Sequence, residues 1–346
     1  MKYNLLKNTN LKVSEVCLGT MTFGQQNDEK QSHDIINESL NLGINFLDAA
    51  EMYPVPPKAT TQGKTEEIIG SWIKKNDRSK IILATKVTGP GRPFDWIRGG
   101  PKAIDKENIE VALHQSLKRL NTEYIDLYQI HWPDRYVPNF GPSFYDFSNK
   151  RDSTPFLEQL DALNKFVKDG KIKYIGLSNE TPYGVLSFLE LSKKHGFAPM
   201  VSIQNAYNLL NRRYEYGLSE ITDYAGIPLL AYSPLAFGHL TGKYLKNDNT
   251  QGSRMTLFPE FGVRYDKPNV KLAVIEYNKL AKELDTSLTQ LSLAFCYSRP
   301  FISSTIIGAT NIDQLNENIE ALEFKITDEI VTEIYQIYQK FTDPSP

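Results

Sequence analysis

The chain has few of the residues that build disulfide frameworks or metal centres. Only two of its 346 residues are cysteines, Cys17 and Cys296, and both lie inside apolar runs far apart in the sequence. A disulfide framework or a cysteine-based metal site is therefore not expected, and both residues are predicted to be reduced core thiols. The five histidines show no paired-ligand spacing such as H-E-x-x-H, so no metal is assigned.

A strong net charge and long apolar runs are absent as well. The formal net charge of −2 provides no field that would attract nucleic acid. No apolar run approaches the ~20 residues that a membrane helix needs, and residues 1–4 lack the apolar core of a signal peptide. We therefore expect a cytoplasmic protein that binds neither nucleic acid nor membranes.

The length and composition favour one large domain. With 40% hydrophobic residues, 346 residues can bury a large core and fit one barrel with insertions, for which about 250 residues is typical. No Pro/Ser-rich linker, charge block or long repeat divides the chain, so residues 1–346 are predicted to form a single domain. Nothing in the sequence predicts an oligomeric state.

Short β-branched runs alternate with helix-length segments, which is the pattern of successive βαβ units. The pattern predicts an α/β fold, a (β/α)8 TIM barrel with an N-terminal β-hairpin and extra C-terminal helices. The hairpin is expected within residues 2–13, around a turn at 7–10, where it would close the bottom of the barrel. Strands are predicted near 14–18, 44–48, 80–86, 124–130, 172–178, 200–204, 228–232 and 303–307. Helices are predicted near 30–42, 64–75, 106–120, 156–169, 182–195, 213–225 and 269–284, with 287–298 as an extra helix and 312–321 after the last strand.

Three predicted strands end on different ionisable residues, namely Asp48, Lys86 and His131. The carboxyl ends of barrel strands meet on the catalytic face, so these residues indicate one site, and Tyr53 follows Asp48 in the adjoining loop. Each residue alone has an ordinary explanation in packing, ion pairing or scaffold hydrogen bonds. Together they would form a buried polar cluster that is costly to maintain without a function.

These residue types suit the reduction of a carbonyl group, which needs a hydride for carbon and a proton for oxygen. A free tyrosine has a pKa of about 10, and a neighbouring ammonium such as that of Lys86 lowers it. Asp48 would keep the lysine charged, and His131 could donate to the carbonyl oxygen. We therefore expect Tyr53 to donate the proton, with its pKa lowered by Lys86.

The motifs around these residues resemble those of the aldo-keto reductase superfamily. They are D-A-A-x-x-Y ending at Tyr53, A-T-K ending at Lys86, and Q-I-H-W around His131. The resemblance spans residues 18–318, and the segment within 50–63 looks most like the bacterial Tas-type reductases, which are related to potassium-channel β subunits. It implies a reductase of aldehydes or ketones in which Tyr53 is the general acid/base.

No G-x-G-x-x-G follows a strand, so a nicotinamide cofactor would have to be held by the barrel itself. The resemblance implies that Ser178, Asn179 and Gln204 hydrogen-bond its carboxamide while Tyr232 stacks on its ring. An aromatic face with fixed donors and acceptors would select which face of the ring meets the substrate. The resemblance also extends the cofactor pocket to the residues after the first barrel strand: Gly19, Thr20 and Met21.

The loop after the seventh strand is rich in small residues that would allow backbone amides to approach a pyrophosphate. Lys243 adds positive charge to this loop, and Arg254 lies further along it. The loop also stands at the usual phosphate position of a barrel. Its predicted cofactor residues are Ser233, Pro234, Leu235, Ala236, Gly238, Leu240, Gly242, Lys243 and Arg254.

Residues 307–318 resemble the family's adenosine pocket, with Thr310 and Gln314 facing a 2′-phosphate. Many members of the family have Arg where Gln314 stands, which makes Lys243 or Arg254 the candidate cation for that phosphate. The G-A-[ST]-N-x-x-Q-L pattern is shared with the channel-β-subunit branch, and NADPH is favoured over NADH. The predicted contacts of this segment are Ile307, Gly308, Thr310 and Gln314, with Glu317 and Asn318 on the adenine.

Three connections on the catalytic face, 87–105, 132–154 and 233–266, exceed the usual 2–6 residues. The aromatic residues of the first two are predicted to form walls of a substrate pocket. The alternative is that these loops cover small hydrophobic clusters of their own. The aromatic residues concerned are Phe94, Trp96, Trp132, Tyr136, Phe140, Phe144, Tyr145 and Phe147.

These observations favour an NADPH-dependent oxidoreductase that reduces a small-molecule aldehyde or ketone to an alcohol, with hydride from the nicotinamide and a proton from Tyr53. The alternative is an NADPH-binding regulatory protein or redox sensor with little turnover, which the resemblance to channel β subunits permits. The complete set of four residues favours the enzyme, as does the expected lack of a segment ahead of the barrel. A barrel hydrolase or lyase would need a metal cluster or paired carboxylates, and neither is evident.

Overall fold

The computed structural model describes residues 1–100, 103–245 and 250–345, with the backbone alone described at 261 and 263. Within these residues eight parallel strands form a closed barrel, in which each strand pairs with the next and the last pairs with the first. This confirms the predicted (β/α)8 barrel. The hairpin strands are β1 (Tyr3–Leu5) and β2 (Lys12–Ser14). The barrel strands are β3 (Val16–Gly19), β4 (Phe46–Asp48), β5 (Ile82–Val87), β6 (Ile125–Ile130), β7 (Ile172–Ser178), β8 (Met200–Ala206), β9 (Leu229–Tyr232) and β10 (Ile302–Ile307).

Some of the helices that separate the strands begin at a side-chain cap. Asp28 accepts a hydrogen bond from the backbone N–H of Gln31, and Asp105 accepts one from that of Asn108, each at 2.8 Å. The helices are α1 (Glu29–Asn41), α2 (Lys64–Ile73), α3 (Lys106–Leu120), α4 (Phe156–Lys168), α5 (Pro182–His195), α6 (Leu218–Ala225), α7 (Arg254–Leu257), α8 (Pro268–Glu283), α9 (Leu288–Tyr297), α10 (Ile312–Glu320) and α11 (Asp328–Lys340).

The N-terminal hairpin closes one end of the barrel, as predicted. Its apolar side chains Leu6, Leu11 and Val13 pack with the residues that fill the barrel interior, among them Phe46 and Leu127. A larger apolar cluster lies between the outer face of the strands and the helices. Because the hairpin blocks the amino-terminal end of the strands, a ligand can enter only from the carboxyl end.

Two segments differ from the sequence prediction. The predicted helix at 213–225 is helical only over α6, because Gly217 adopts a left-handed φ of +113° and a short 3-10 turn, Arg213–Glu215, precedes it. The predicted loop at 233–266 contains α7 and two 3-10 segments, Ala236–Thr241 and Pro259–Tyr265. Residues 101–102 and 246–249 of the predicted loops lie outside the described residues.

Helix α11 was not placed by the sequence prediction. Thr327 caps it, and Ile330, Ile334 and Ile337 are buried on one face, which packs against α8. Apolar residues spaced four and three apart lie on the same side of a helix, so the signal was present in the sequence. The helix extends the set of C-terminal helices beyond α9 and α10.

The cysteines and the histidines show no arrangement for a metal. Cys17, inside the barrel on β3, and Cys296 on α9 are both buried and unpaired, as predicted for core thiols. Within residues 1–100, 103–245 and 250–345, no three His, Cys, Asp or Glu side chains are grouped so as to hold a metal ion. In the same part of the chain no helix has both the length and the apolar character that crossing a membrane requires.

Candidate active site

A cavity of about 820 Å³ opens at the carboxyl end of the barrel strands. Its volume is in the range of cofactor and small-molecule sites. It brings together most of the residues that the sequence singled out, from all parts of the chain. Those that line it are Gly19, Thr20, Met21, Asp48, Tyr53, His131, Ser178, Asn179, Gln204, Tyr232, Ser233, Pro234, Leu235, Gly238, Lys243, Arg254, Ile307, Gly308, Thr310, Gln314, Glu317 and Asn318.

Asp48 and Lys86 form a buried ion pair beneath the cavity. The ammonium of Lys86 donates to Asp48 Oδ2 at 2.5 Å and to the carbonyl oxygen of Ala49 at 2.8 Å. The side chain of Lys86 is fully buried and that of Asp48 is 3% exposed. Burial acts to lower the pKa of Lys86, but the charges of Asp48 and Tyr53 outweigh it and hold that pKa above its usual value. Lys86 is therefore a permanent cation below the cavity floor.

Two glutamines complete the surroundings of Asp48. Gln204 Nε2 donates to Asp48 Oδ1 at 2.8 Å, and Gln129 Nε2 lies 3.3 Å from the same oxygen. From the sequence, Gln204 was predicted to hydrogen-bond the carboxamide of a nicotinamide, and Gln129 was not identified as a site residue. In the structure the amide nitrogen of Gln204 is engaged with Asp48, although Gln204 also borders the cavity. These bonds fix the carboxylate and satisfy the oxygen that Lys86 does not contact.

Tyr53 and His131 face each other above this ion pair. Their ring centroids are 5.8 Å apart in an edge-to-face arrangement, and the ammonium of Lys86 lies 5.0 Å from the centre of the Tyr53 ring. Tyr53 is partly exposed to the cavity, whereas His131 is 8% exposed. A phenol and an imidazole that border the same space can both contact one small oxygen atom of a ligand.

The pKa of Tyr53 differs from the sequence expectation. Burial raises it, and although Lys86 acts to lower it, Asp48 offsets part of that effect, so the pKa of Tyr53 lies above its usual value of about 10. Lys86 acts to lower this pKa, as predicted, but the net direction is the opposite of the expected one. Burial is the main cause, and Asp48 offsets part of the stabilisation that Lys86 gives to the phenolate. Tyr53 is a protonated phenol throughout the neutral range, which suits a proton donor.

His131 is held neutral. Burial, followed by the positive charges of Lys86 and Arg92, places the pKa of His131 well below its usual 6.5. Its Nδ1 has no hydrogen-bond partner among the described residues. A neutral imidazole can still donate one hydrogen bond to a ligand oxygen.

These two pKa directions predict a flat pH profile for any reaction that uses Tyr53 as an acid. A donor whose pKa is raised above 10 stays protonated up to that pH, and a histidine whose pKa is lowered stays neutral down to below 6.5. We expect kcat for carbonyl reduction to vary by less than about twofold between pH 6.5 and 9. Single-turnover rates across this range measure it. A limb with an apparent pKa near 7 would contradict the neutral state of His131.

Residues after β7 and β9 form a second polar network on the cavity wall. Asn179 Nδ2 donates to the backbone oxygen of His131 at 2.9 Å, and the hydroxyl of Tyr232 donates to Asn179 Oδ1 at 2.6 Å. Ser178 Oγ donates to the backbone oxygen of Gln204 at 2.8 Å. Asn179 holds a left-handed φ of +53°, which an asparagine tolerates better than most residues. The network joins Tyr232 to the strand end that carries His131.

The cavity also has positively charged residues in its lining. Lys243 and Arg254 both line it, and no described residue places a carboxylate within ion-pair distance of either. Burial, and then the charge of Arg254, lowers the pKa of Lys243, while the charge of Glu317 acts in the opposite direction. The guanidinium of Arg254 packs over the ring of Phe237, 4.9 Å from its centre. Two cations at a cavity wall with no ion-pair partner among the described residues fit a phosphorylated ligand.

Helix α10 and the strand end before it form the wall beside these cations. Gln314 Oε1 accepts from both the backbone N–H and the hydroxyl of Thr310, at 2.9 and 3.0 Å. Asn27, in the loop after β3, donates to the backbone oxygen of Thr310 at 2.7 Å. Asn318 Nδ2 donates to the backbone oxygen of Gly308 at 3.3 Å. Gln314 thus shapes this wall without adding charge, which leaves Lys243 and Arg254 as its cations.

Some predicted site residues lie elsewhere. The side chains of Ala236 and Leu240 are fully buried in the core, and neither they nor Gly242 line the cavity. Lys86 lies beneath the lining and reaches it only through Asp48 and Tyr53. Small residues in a phosphate-type loop alternate between the ligand side and the core, and the sequence does not distinguish these sides.

The aromatic walls predicted from the long loops are correct only in part. Phe94, Trp132 and Phe140 line the cavity. Tyr145 instead contacts the rings of Tyr136 and Phe147, which is the alternative of a loop that covers its own cluster. Phe144 and Phe147 are more than four-fifths exposed, and Trp96 is 38% exposed. Distance from the strand end does not decide which residues reach the cavity, because Phe140 lines it and Tyr136, which is nearer to β6, does not.

Several lining residues were not identified from the sequence. Thr22 and Gln26 continue the loop that begins at Gly19, so their position along the chain was a usable signal. Arg264 and Thr289 come from remote segments and had no local signal. The other unpredicted lining residues include Met52, Val55, Arg92, Asn139, Phe237 and Glu260.

A barrel with this site at its carboxyl end belongs to a known class of oxidoreductases. The model of the Aldo/keto reductase family matches residues 15–339, and the chain therefore belongs to the aldo/keto reductase family, whose members generally use nicotinamide cofactors. It is 45% identical to the protein Tas of Escherichia coli (strain K12) over 347 aligned residues, which cover all of both chains. It is 44% identical over 280 residues to an aldo-keto reductase of Babesia bovis, covering 77% of this chain and 98% of that one.

A further relative connects the chain to the channel-subunit branch of the family. The chain is 31% identical over 348 residues to a protein of Schizosaccharomyces pombe that is described as a voltage-gated potassium channel subunit beta. The alignment covers 97% of this chain and 92% of the relative. The resemblances noted from the motifs, to the Tas-type reductases and to the channel β subunits, are both confirmed.

Proposed function

We propose that the protein reduces aldehydes or ketones to alcohols with NADPH, and that Tyr53 donates the proton. One observation carries this proposal. A single cavity is bordered by a phenol and a neutral imidazole, with a buried lysine beneath them, and also by two cations that have no carboxylate within ion-pair distance among the described residues. The first set suits a carbonyl oxygen and the second suits phosphate groups, so the cavity suits a phosphorylated hydride donor next to a carbonyl compound.

The described residues fit such a cofactor. Lys243 and Arg254 would hold its phosphates, Thr310 would face the adenosine side, and Tyr232 with Asn179 would border the nicotinamide. When bound, the reduced nicotinamide supplies a hydride. The fit also explains why these cations are left unpaired within the protein, since unneutralised charges near each other are unfavourable without a counter-anion.

The chain's own residues then act on the oxygen of the substrate. The Tyr53 hydroxyl and the His131 imidazole donate hydrogen bonds to the carbonyl oxygen, and Tyr53 transfers its proton as negative charge develops there. Lys86 stabilises the phenolate that this transfer leaves, and Asp48 keeps Lys86 charged and in place. Gln204 and Gln129 hold Asp48 in turn.

Two measurements in sequence test this function. Fluorescence titration with NADPH and with NADH gives the two dissociation constants, and a panel of aldehydes and ketones is then followed by the loss of nicotinamide absorbance. We expect tighter binding of NADPH and turnover on part of the panel. Tight binding without turnover on any carbonyl compound would instead support a redox-sensing protein, the role that a kinship with channel β subunits permits.

The two cations are predicted to serve different phosphates. A contact with the pyrophosphate serves both cofactors, whereas a contact with the 2′-phosphate serves NADPH alone. We expect Lys243→Ala to weaken both cofactors and Arg254→Ala to weaken NADPH selectively, by about tenfold or more, since a charge-assisted contact is worth roughly 1.5–3 kcal/mol. Dissociation constants of both cofactors for the wild type and the two variants measure this.

A surface lysine provides the control for this pair. Lys279 on α8 is 70% exposed in its side chain and does not line the cavity, so Lys279→Ala should leave both dissociation constants unchanged. Equal affinity of the wild type for NADH and NADPH would exclude the NADPH assignment. An Arg254→Ala protein with unaltered cofactor selectivity would exclude the role given to Arg254.

A further inference from the structure

Arg92 occupies a distinct position at the catalytic end of the cavity. It lies in the loop between β5 and α3, and its guanidinium packs over the rings of Phe140 and Trp132, 4.1 and 5.3 Å from their centres. All three residues line the cavity. Stacking on aromatic rings holds a guanidinium by its faces and leaves the N–H groups at its edge available.

No described residue places a carboxylate within ion-pair distance of Arg92. Arg98, six residues later in the same loop, is different, because its guanidinium is paired with the buried carboxylate of Glu51 and also donates to the backbone oxygen of Thr88 at 3.0 Å. The Glu51–Arg98 pair ties this loop to the segment that carries Tyr53. The loop therefore has one arginine that is used for structure and one whose charge is not neutralised within the protein.

The charge of Arg92 lies close to the reacting end of the site. The His131 and Trp132 rings are 4.8 Å apart and the guanidinium is 5.3 Å from the Trp132 ring, so Arg92 is within about 10 Å of the imidazole. The charge of Arg92 also contributes to the lowered pKa of His131. Beside the guanidinium the cavity wall is apolar, formed by Trp132, Phe140 and Phe94, whose rings meet edge to face.

We propose that Arg92 binds an anionic group of the substrate, and that the preferred substrates are carbonyl compounds with a carboxylate a short distance from the carbonyl. The inference rests on the proposed function, since it places the carbonyl oxygen at Tyr53 and His131. A guanidinium binds a carboxylate through two parallel hydrogen bonds, and it does so most strongly where aromatic walls exclude part of the water. The apolar wall then accommodates the carbon skeleton between the two polar groups.

Paired substrates that differ only in charge test this assignment. The probes are 3-carboxybenzaldehyde and 4-carboxybenzaldehyde, each compared with its methyl ester, and kcat/KM is measured with NADPH. We expect the wild type to favour each acid over its ester, by about tenfold or more for the 3-isomer, in which the two groups are closer. In Arg92→Gln the acid-to-ester ratio should fall at least tenfold, and Arg92→Lys should restore part of it.

A second arginine stacked on an aromatic ring serves as the matched control. The guanidinium of Arg299 packs 4.9 Å from the centre of the Phe295 ring, outside the cavity lining, so Arg299→Gln should keep the wild-type ratio. A wild type that reduces the esters as well as the acids would overturn the role of Arg92 while leaving carbonyl reduction intact. An Arg92→Gln protein that retains the wild-type acid-to-ester ratio would also overturn the role of Arg92. If the wild type reduced none of these four aldehydes and no other carbonyl compound, both this inference and the proposed function would be overturned. If it reduced other carbonyl compounds but none of these four, the inference alone would be overturned.

Discussion

Replacing Tyr53 by Phe is expected to lower kcat for carbonyl reduction on the order of 10²-fold or more. The substitution removes only the hydroxyl and keeps the ring that packs against His131 and lies over Lys86. Without the hydroxyl the proposed proton donor is lost, and neither of its two polar neighbours is a ready substitute, because His131 is neutral and Lys86 lies beneath the cavity lining. The affinity for NADPH should change little, since the residues proposed to bind its phosphates, Lys243 and Arg254, are left unaltered by the substitution. Transient kinetics at saturating substrate measures the first effect, and fluorescence titration the second.

A tyrosine on the surface provides the matched control for this substitution. Tyr224 on α6 is 83% exposed, and Tyr224→Phe should retain the wild-type kcat. A Tyr53→Phe protein with near-native kcat would remove Tyr53 from the role of acid. A variant that loses rate and cofactor affinity together would indicate a disturbed cavity, so the two measurements are needed side by side.

Replacing Lys86 by Met is expected to damage both the reaction rate and the stability of the fold. The change removes the ammonium that contacts Asp48 at 2.5 Å and leaves a carboxylate that is 3% exposed with only glutamine partners. Removing one member of a buried ion pair costs about 3–5 kcal/mol, which is a large part of a typical free energy of unfolding. Asp48→Asn should be milder for stability, because an amide oxygen can still accept from Lys86 and no unpaired anion remains. Urea denaturation curves and kcat values of both variants measure these effects.

The exposed ion pair of Lys279 and Glu283 gives the comparison for Lys86→Met. These side chains are 70% and 59% exposed and 3.8 Å apart, and pairs of this kind contribute little to stability. Lys279→Met should therefore unfold at the urea concentration of the wild type. If Lys86→Met also unfolded there and kept its activity, the buried pair would have neither of the roles given to it.

The sequence predicts the barrel well because local patterns decide most of its elements. Eight apolar runs of strand length alternate with helical segments, and each strand was placed to within about two residues. The prediction fails where the backbone conformation of one residue determines where a helix begins. Gly217 is an example, because its positive φ interrupts a segment before α6 that is otherwise helical in composition. Helix α11 shows a different failure, since its spacing of Ile330, Ile334 and Ile337 was legible but was not used.

The sequence predicts which residues form the candidate site better than it predicts their hydrogen-bond partners. Strand ends place Asp48, Lys86 and His131 on one face, so their proximity follows from topology. Gln204 donates a hydrogen bond to Asp48 across the barrel. This contact depends on the direction of the Gln204 side chain, which cannot be predicted from the strand order alone. The pKa of Tyr53 depends on the balance of burial, Lys86 and Asp48, and this balance reversed the expected direction. Arg92 stacks on Trp132 and Phe140, which lie in a different long loop. A contact between two loops that are distant in the sequence cannot be predicted from a local pattern.

The most direct test of the account is to follow the hydrogen atom that the reaction transfers. The protein is mixed with NADPH that carries deuterium on both positions of nicotinamide carbon 4 and with an aldehyde from the panel, and the alcohol is analysed by mass spectrometry and NMR. The account predicts an alcohol with one deuterium on the former carbonyl carbon, formed rapidly by the wild type and on the order of 10²-fold more slowly by Tyr53→Phe. No alcohol with any carbonyl compound, or an alcohol without deuterium at that carbon, would contradict it.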